Sequence, residues 1–241
     1  MNRHGFRTEA GDPVTAVTAA EMRDVDRVAV EEFGLSLLGM MENAGRNLAW
    51  HVREMRSGPV VVLAGNGGNG GGGLCAARHL ANRDVPVSVV LDRDPERLDG
   101  AARTQSEILA AMDLPVTVGV ETPAEWDPET VVDALVGYGL DGALRGSAAG
   151  LVDAVTGSRA QVVSLDVPSG MVATTGERPG TAIEPDRVVT LALPKTGLAD
   201  TRCDLYLADI GIPAGVYHAL DIPYSNPFDD GDWTPLTRPE T

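Results

Sequence analysis

The sequence is poor in aromatic residues and in cysteine. Phe, Trp and Tyr make up only 4% of the 241 residues, so the core has to consist of Val, Leu, Ala and Ile. These residues are typical of parallel strands buried between helices. The two cysteines, Cys75 and Cys203, are too few for a disulfide framework. Their scarcity favours a reducing compartment, and we expect a cytoplasmic protein.

Long hydrophobic runs and positive charge are also lacking. No apolar run approaches the roughly 20 residues that a membrane-spanning helix needs, and the N-terminus does not show a signal-peptide pattern. With 19 basic and 35 acidic residues the formal net charge is −16, which argues against nucleic acid and membranes as partners. The four histidines are scattered, so we expect no transition-metal cluster.

Lysine occurs once, as Lys195, among the 19 basic residues. One interpretation is a chance lysine on a solvated turn. The other is that a compact ammonium group is needed there, as a point charge beside a phosphate or a substrate. The sequence by itself leaves both interpretations open.

From Pro59 onward, short apolar runs alternate with helical stretches. This alternation predicts β-α-β units and an α/β fold: a doubly wound, mostly parallel sheet flanked by helices in a Rossmann-like three-layer sandwich. Strands are predicted over 59–64, 85–91, 114–120, 130–136, 160–165, 187–193 and 204–208. Helices are predicted over 36–56, 74–81, 101–112 and 148–155, after a first helix opened by Thr18 and stopped by Gly34.

The length fits one domain, residues 1–241, with a core of about 18–213. Thr18 and Glu21 have the spacing of a capping box, which marks the start of the first helix. Residues 1–15 and the last twenty residues are polar, and we expect loose tails at both ends.

Seven of the nine residues from Gly65 to Gly73 are glycine. This run falls between a predicted strand and a predicted helix, and it predicts a loop. Glycine lets a backbone approach an anion closely, and a helix N-terminus offers free N–H groups. The run therefore indicates a site for a nucleotide-like phosphate, where Gly70→Val and Gly71→Val should abolish binding and leave the fold intact.

An NAD-dependent oxidoreductase is a rival interpretation of this run. Gly65, Gly67 and Gly70 fit the dinucleotide fingerprint, and Asp92 ends the next predicted strand. However, the glycine run continues beyond the fingerprint. Two predicted helices also precede the first strand, whereas the fingerprint usually opens a domain.

Further polar residues fall at predicted strand ends. Asp133, Asp166, Ser169 and Lys195 all lie at or just after such ends. In a doubly wound sheet the carboxyl ends of the strands converge on one crevice, where ligands bind. We therefore expect these side chains to share one site with the glycine run.

Six motifs, in the order in which they follow one another along the chain, resemble those of the YjeF N-terminal domain family of NAD(P)H-hydrate epimerases. The resemblance covers about Thr18 to Pro213. The turn Asp-Ala-Leu-Val-Gly-Tyr-Gly-Leu at 133–140 resembles the family's Asp-Ala-Leu-Phe-Gly-Thr-Gly-Leu. The glycine run resembles its Gly-Asn-Asn-Gly-Gly-Asp-Gly loop. The other four motifs are Met-Glu-Asn-Ala-Gly-Arg at 41–46, Asp-Val-Pro-Ser-Gly at 166–170, Pro-Lys-Thr-Gly-Leu at 194–198 and Asp-Ile-Gly-Ile-Pro at 209–213.

The resemblance implies an enzyme that interconverts the C6 epimers of hydrated NADH or NADPH, a damaged cofactor, for a separate dehydratase that restores one epimer. It implies a potassium ion held by Asn69, Asp133 and Ser169. Asp166, supported by Lys195, is the candidate acid/base. A homodimer is a candidate assembly. The substrate-binding residues it implies are Gly68, Asn69, Gly70, Gly71, Gly72, Gly137, Tyr138, Gly139, Leu140, Asp141, Gly142, Ala143 and Asp166.

Two positions depart from the family loop. Gly68 replaces an asparagine, and Gly72 replaces an aspartate whose carboxylate is expected near the nicotinamide end of the substrate. A nucleotide-binding relative without activity is therefore the alternative function. Gly72→Asp should then raise the rate of a slow enzyme.

Overall fold

A ten-stranded, mostly parallel sheet organises the described residues of the computed structural model, which are 5–55, 58–119 and 127–238. In spatial order the strands are β2-β1-β10-β9-β8-β7-β6-β3-β4-β5. Their bounds are β1 (Phe6–Thr8), β2 (Pro13–Val14), β3 (Val60–Ala64), β4 (Val87–Leu91), β5 (Val116–Val118), β6 (Thr130–Ala134), β7 (Gln161–Leu165), β8 (Arg187–Leu191), β9 (Asp204–Ala208) and β10 (Trp233–Thr237).

Helices cover both faces of this sheet and confirm the predicted fold class. They are α1 (Ala19–Glu31), α2 (Leu37–Met55), α3 (Gly68–Ala81), α4 (Gly100–Ala111), α5 (Gly146–Val155) and α6 (Ala214–Ala219), with 3-10 turns at 95–97 and 196–200. Helices α2, α3 and α4 pack with Val60 and Val62 of β3 on one face. Helix α5 packs with Val61 and Leu63 on the other. Every residue of β3 is buried as a result, which explains its unbroken apolar sequence.

The strand order reverses beside β3. The chain runs from β3 outward to β4 and β5, and then crosses back to β6 on the other side of β3. Such a switch point opens a crevice at the carboxyl ends of the two diverging strands. The segments that follow Ala64 and Ala134 therefore flank this crevice.

The predicted elements from α1 to β9 are confirmed, with ends that shift by a few residues. Thr18 caps α1 and completes the capping box with Glu21. Two predicted ends, Arg56 and Val120, lie outside the described residues. Helix α6 was not predicted.

The expectation of loose tails is wrong for the described residues at both ends. Strand β10 pairs antiparallel with β9, and β1 pairs antiparallel with β10. Phe6 and Leu236 are buried with Leu205 and Leu207. The tails thus supply backbone partners and apolar cover for the β9 edge, which would otherwise be open, and the core extends beyond 18–213.

The glycine run is mostly helical, which corrects the predicted loop over Gly65 to Gly73. Helix α3 begins at Gly68, and Gly67 precedes it with φ of +128°. Only glycine adopts that backbone readily. The turn between β3 and α3 is therefore only three residues long.

None of the helices in the described part of the chain is long and apolar enough to cross a membrane.

Candidate functional site

A cavity of about 390 Å³ lies at the crevice of the switch point. Its walls come from the turns after β3 and β6, from α1 and α2, and from the ends of β7 and β8. Of the residues predicted from sequence, it is lined by Gly68, Asn69, Gly137, Tyr138, Gly139, Asp166 and Lys195. The structure thus gathers residues of four separate motifs around one cavity.

Asp166 and Lys195 form a buried ion pair in this cavity. Their exposed fractions are 3% and 1%, so Lys195 does not lie on a solvated turn. The Lys195 Nζ donates to Asp166 Oδ1 and, at 2.8 Å, to the Leu191 carbonyl. Asp166 Oδ1 also accepts from the Leu191 N–H at 3.2 Å and from the Thr190 hydroxyl at 3.3 Å. A buried ammonium needs such a partner, because burial of an unpaired charge is costly.

Strained backbone accompanies this pair. Asp166, directly after β7, has φ of +66°, and Ala192, directly after β8, has φ of +63°. The left-handed region costs a residue other than glycine about 1–3 kcal/mol, and such residues cluster at functional sites. The two strained turns place Asp166 and the chain leading to Lys195 side by side at the carboxyl edge of the sheet.

Asp133 and Ser169, two of the predicted metal ligands, contact each other beneath the cavity. Asp133 is completely buried. It accepts hydrogen bonds from the Ser169 N–H at 2.8 Å and from the hydroxyls of Ser169 and Ser164 at 2.5 and 2.7 Å. Burial raises the pKa of Asp133 above its ordinary value, although these hydrogen bonds lower it. Its charge therefore costs folding free energy at neutral pH.

Asn69, the third predicted ligand, lies against the turn that follows β6. A Cβ atom at Gly137 would lie 2.9 Å from Asn69 Oδ1 and 3.3 Å from Asp166 Oδ2. Glycine is therefore required at 137 for this close approach. The Asn69 Nδ2 is buried and makes no hydrogen bond to the described residues.

The structure places Gly70, Gly71 and Gly72 inside α3, buried against the protein itself. A Cβ atom at Gly70 would lie 1.7 Å from the Gly65 carbonyl oxygen, and one at Gly71 would lie 2.8 Å from the sulfur of Met41. These glycines allow close packing, and the residues of this run that line the cavity are Asn66, Gly67, Gly68 and Asn69. Gly70→Val and Gly71→Val would therefore disturb the fold, contrary to our expectation.

Gly72 also has a packing role. A Cβ atom there would lie 2.7 Å from a methyl group of Leu165 and 3.9 Å from Ala44. An aspartate at 72 would have to displace Leu165 and begin in an apolar setting. The packing therefore gives no support to a rate gain from Gly72→Asp.

The second half of the predicted turn leads away from the cavity. Leu140, Asp141, Gly142 and Ala143 are at least partly exposed and are not part of the cavity wall. Ala143 instead packs near Gly180. Contacts of these four residues with a ligand stay a prediction.

The prediction missed the contribution of α1 to the cavity wall, namely Met22, Arg23 and Asp26. Asp26 lies four residues after Met22 and three before Ala29, both buried, so it occupies the inward stripe of the helix. An acidic residue on that stripe was the signal that could have identified it. Tyr138 was predicted, but not its hydrogen bond to Asp26.

A group with metal-binding side chains lies between α2 and α3, which the scattered histidines did not lead us to expect. Ligand atoms of Glu42, Cys75 and His79 lie within 4.8 Å of one another. His79 Nε2 is 2.8 Å from Glu42, whose other carboxylate oxygen pairs with the Arg78 guanidinium. A cation of the protein already neutralises Glu42, so the group serves as a contact between the two helices.

The fold and the crevice together define a doubly wound α/β domain with a ligand cavity at its switch point. More specifically, the chain belongs to the family described as YjeF-related protein N-terminus, whose model matches residues 37–197. It is similar to the crystal structure of yeast ynu0, with a TM-score of 0.78, 23% identity and coverage of 93% of this chain and 100% of the other. That likeness shows the fold.

The relatives found by comparing sequences have higher sequence identity to this chain than the yeast protein has. The chain is 42% identical to the NAD(P)H-hydrate epimerase of Dehalogenimonas lykanthroporepellens, with 98% of each chain covered. It is 35% identical to the enzyme of that name from Rhodopirellula baltica, over 82% of this chain and 84% of the relative. It is also 40% identical to the bifunctional NAD(P)H-hydrate repair enzyme Nnr of Hyperthermus butylicus, of which it covers only 38%.

Proposed function

We propose that this protein is an isomerase that interconverts the R and S epimers of hydrated NADH and NADPH, as the names of its relatives indicate. The observation that carries the proposal is the buried Asp166–Lys195 pair at the cavity wall. Epimerisation at C6 requires the hydroxyl to leave and return on the other face, or the ring to open and close. Both routes need a proton acceptor and a proton donor close to the ring.

The two oxygens of Asp166 have different surroundings. Oδ1 is fixed by Lys195, Leu191 and Thr190, whereas Oδ2 receives no hydrogen bond from the described residues and lies beside Gly137 at the cavity wall. In our proposal Oδ1 orients the carboxylate and Oδ2 exchanges a proton with the substrate. The Lys195 ammonium stabilises the charge on the carboxylate.

The start of α3 is the proposed contact for the phosphates of the substrate. The first helical hydrogen bond runs from the Gly71 N–H to the Gly67 carbonyl. The N–H groups of Gly68 and Asn69 precede it and are therefore left without helical partners, as usual at a helix N-terminus. Both residues line the cavity, so their N–H groups are in a position to bind an anion there.

A potassium ion near Asn69, Asp133 and Ser169 fits the donor chemistry of the site. The Asp133 charge is fully buried, and its described partners are hydroxyl and N–H groups, without a cationic side chain. The side-chain amide of Asn69 makes no hydrogen bond through Nδ2 to the described residues. When bound, the ion would supply the missing positive charge beside hard oxygen ligands. The protein's own residues would still perform the proton transfers.

Potassium is therefore expected to raise the melting temperature by several degrees relative to tetramethylammonium at equal ionic strength. The reason is that a bound cation offsets the cost of the ionised Asp133 in the folded state. Asp133→Asn removes that charge and should abolish the difference between the two salts. Equal melting temperatures of the unmodified protein in both salts would contradict the potassium site.

An ordinary dehydrogenase is a poorer fit to the structure. Asp92, which would bind the ribose in that interpretation, pairs through both carboxylate oxygens with Arg93 at 2.8 Å. It is also not part of the cavity wall. The Asp166–Lys195 pair, in contrast, lines the cavity.

The chain spans about 40% of the length of the bifunctional relatives. We propose that its product passes to a separate dehydratase, in the cytoplasm, and that a homodimer is the assembly. A coupled assay tests the function. A dehydratase alone should leave one epimer unconsumed, and this protein should allow complete consumption. If part of one epimer remained unconsumed in the presence of this protein, the result would count against the proposed function.

A further inference from the structure

A second pair of polar side chains lines the same cavity as Asp166. The Tyr138 hydroxyl donates a hydrogen bond to Asp26 Oδ2, and both residues line the cavity. Tyr138 follows β6, whereas Asp26 belongs to α1. The hydrogen bond therefore ties the sheet edge to a helix that is distant in sequence.

The position of α1 is fixed relative to Lys195. Val17, just before the helix, forms a parallel bridge with Lys195. Its N–H donates to the Pro194 carbonyl at 2.9 Å, and its carbonyl accepts from the Thr196 N–H at 3.0 Å. Asp26 is thus held in register with the lysine by backbone contacts, and its place in the cavity is defined.

Lys195 lies between the two carboxylates. Its Nζ pairs with Asp166 and is 5.8 Å from the centre of the Tyr138 ring, within the range of a cation–π contact. The four groups therefore form a row: Asp166, Lys195, Tyr138 and Asp26. Lys195 forms an ion pair with Asp166, whereas it acts on Asp26 only by electrostatic attraction without a direct contact.

Asp26 and Tyr138 both have a pKa above the ordinary value. Burial raises the pKa of Asp26; the Tyr138 hydrogen bond and the Lys195 charge oppose this, and the Asp166 charge adds to it. Burial, together with the Asp26 and Asp166 charges, raises the pKa of Tyr138, while Arg23 lowers it. Both shifts disfavour the loss of a proton from this pair.

We propose that Tyr138 and Asp26 form a proton relay that serves the departing C6 hydroxyl, whereas Asp166 serves the entering water; this rests on the proposed function. The C6–O bond breaks with its electron pair on oxygen, which takes the Tyr138 hydroxyl proton and leaves as water. In this step Asp26 is protonated and its carboxyl donates to the Tyr138 oxygen, the reverse of the hydrogen bond described above, so its proton passes to Tyr138. Water then adds to C6 from the other face and gives a proton to Asp166. Asp166 then releases its proton to solvent water and Asp26 takes one up from solvent, which returns both carboxyl groups to their starting states.

The family turn quoted above has threonine at the position of Tyr138. A threonine hydroxyl is several ångströms nearer its own backbone than a phenol, so the contact with Asp26 on α1 depends on the longer side chain. This relay is thus specific to chains that carry tyrosine there.

Tyr138→Phe and Asp26→Asn test the relay, because each keeps the shape of its side chain. We expect kcat to fall about 10²-fold in each, the usual size for loss of a general acid, with KM changed only a few-fold. The rate of the unmodified protein should fall as pH rises through the pKa of Asp26, and Asp26→Asn should lose that fall. The groups that face Asp26 in this titration are Tyr138, Lys195, Asp166, Arg23 and Tyr217.

Asp24→Asn is the matched control, since Asp24 lies on the exposed face of the same helix and should leave both kcat and pH profile unchanged. If the unmodified protein is active and Tyr138→Phe has the same kcat and pH profile, the relay is overturned. This holds even if Asp26→Asn fails to fold. An inactive unmodified protein would instead overturn the proposed function, and the relay with it.

Discussion

Asp166→Asn is expected to lower the rate of epimerisation by about 10²-fold or more, while binding of the substrate changes only slightly. The amide keeps the shape of the carboxylate and can still accept from Lys195, but it cannot take up a proton. Loss of a positioned acid/base typically has an effect of this size. Initial rates with one purified epimer, together with calorimetric titration of the same ligand, measure the two effects separately.

Asp92→Asn provides the matched control. Asp92 also follows a strand end and is ion-paired, but it lies outside the cavity wall, so its rate should equal that of the unmodified protein. A melting curve of Asp166→Asn shows whether Lys195, left with a neutral partner, has destabilised the fold. A folded Asp166→Asn protein with full activity would remove Asp166 from the mechanism.

Gly70→Val is expected to prevent folding. Its Cβ atom would lie 1.7 Å from the Gly65 carbonyl oxygen, and this obstacle is backbone that holds β3 and α3 together. Overpacking commonly costs about 1–3 kcal/mol where side chains can move, and here they cannot resolve the clash. Since folded proteins are stable by only about 5–15 kcal/mol, we expect insoluble protein or loss of the cooperative unfolding transition.

For Gly68→Val, two residues before Gly70, we expect the opposite result: a folded protein with weaker ligand binding. Gly68 is exposed at the cavity, and a Cβ atom there would have only the Met41 methyl group, at 4.0 Å, within reach. We expect an unchanged melting temperature and at least about tenfold weaker binding of NADPH, because the side chain would cover the N–H groups at the start of α3. A stable Gly70→Val protein, or normal binding by Gly68→Val, would contradict these roles.

The sheet and the strand-end residues could be predicted because their signals are local. Apolar runs such as that of β3 show burial on both faces, and a turn that follows a parallel strand must lie at the carboxyl edge. Asp166 and Lys195 could therefore be assigned to one site before their ion pair was seen.

The remaining features depend on contacts between distant segments. Met41 and Leu165 fill the space beside Gly71 and Gly72, so the sequence of the run alone could not distinguish packing glycines from ligand-binding ones. Asp26 reaches the cavity only because Val17 pairs beside Lys195. Strand β1 pairs with β10 from the opposite end of the chain, and no local pattern reveals a contact between such distant segments.

The most direct test of the central claim is the interconversion of the two epimers by the purified protein alone. Each epimer of hydrated NADH is incubated separately, and the composition is followed by chromatography or NMR. An epimerase brings both samples to the same epimer ratio, much faster than without protein, and we expect Asp166→Asn to slow this approach about 10²-fold. If both epimers persist at their spontaneous rates while the protein binds them, the chain is a binding protein and not an epimerase.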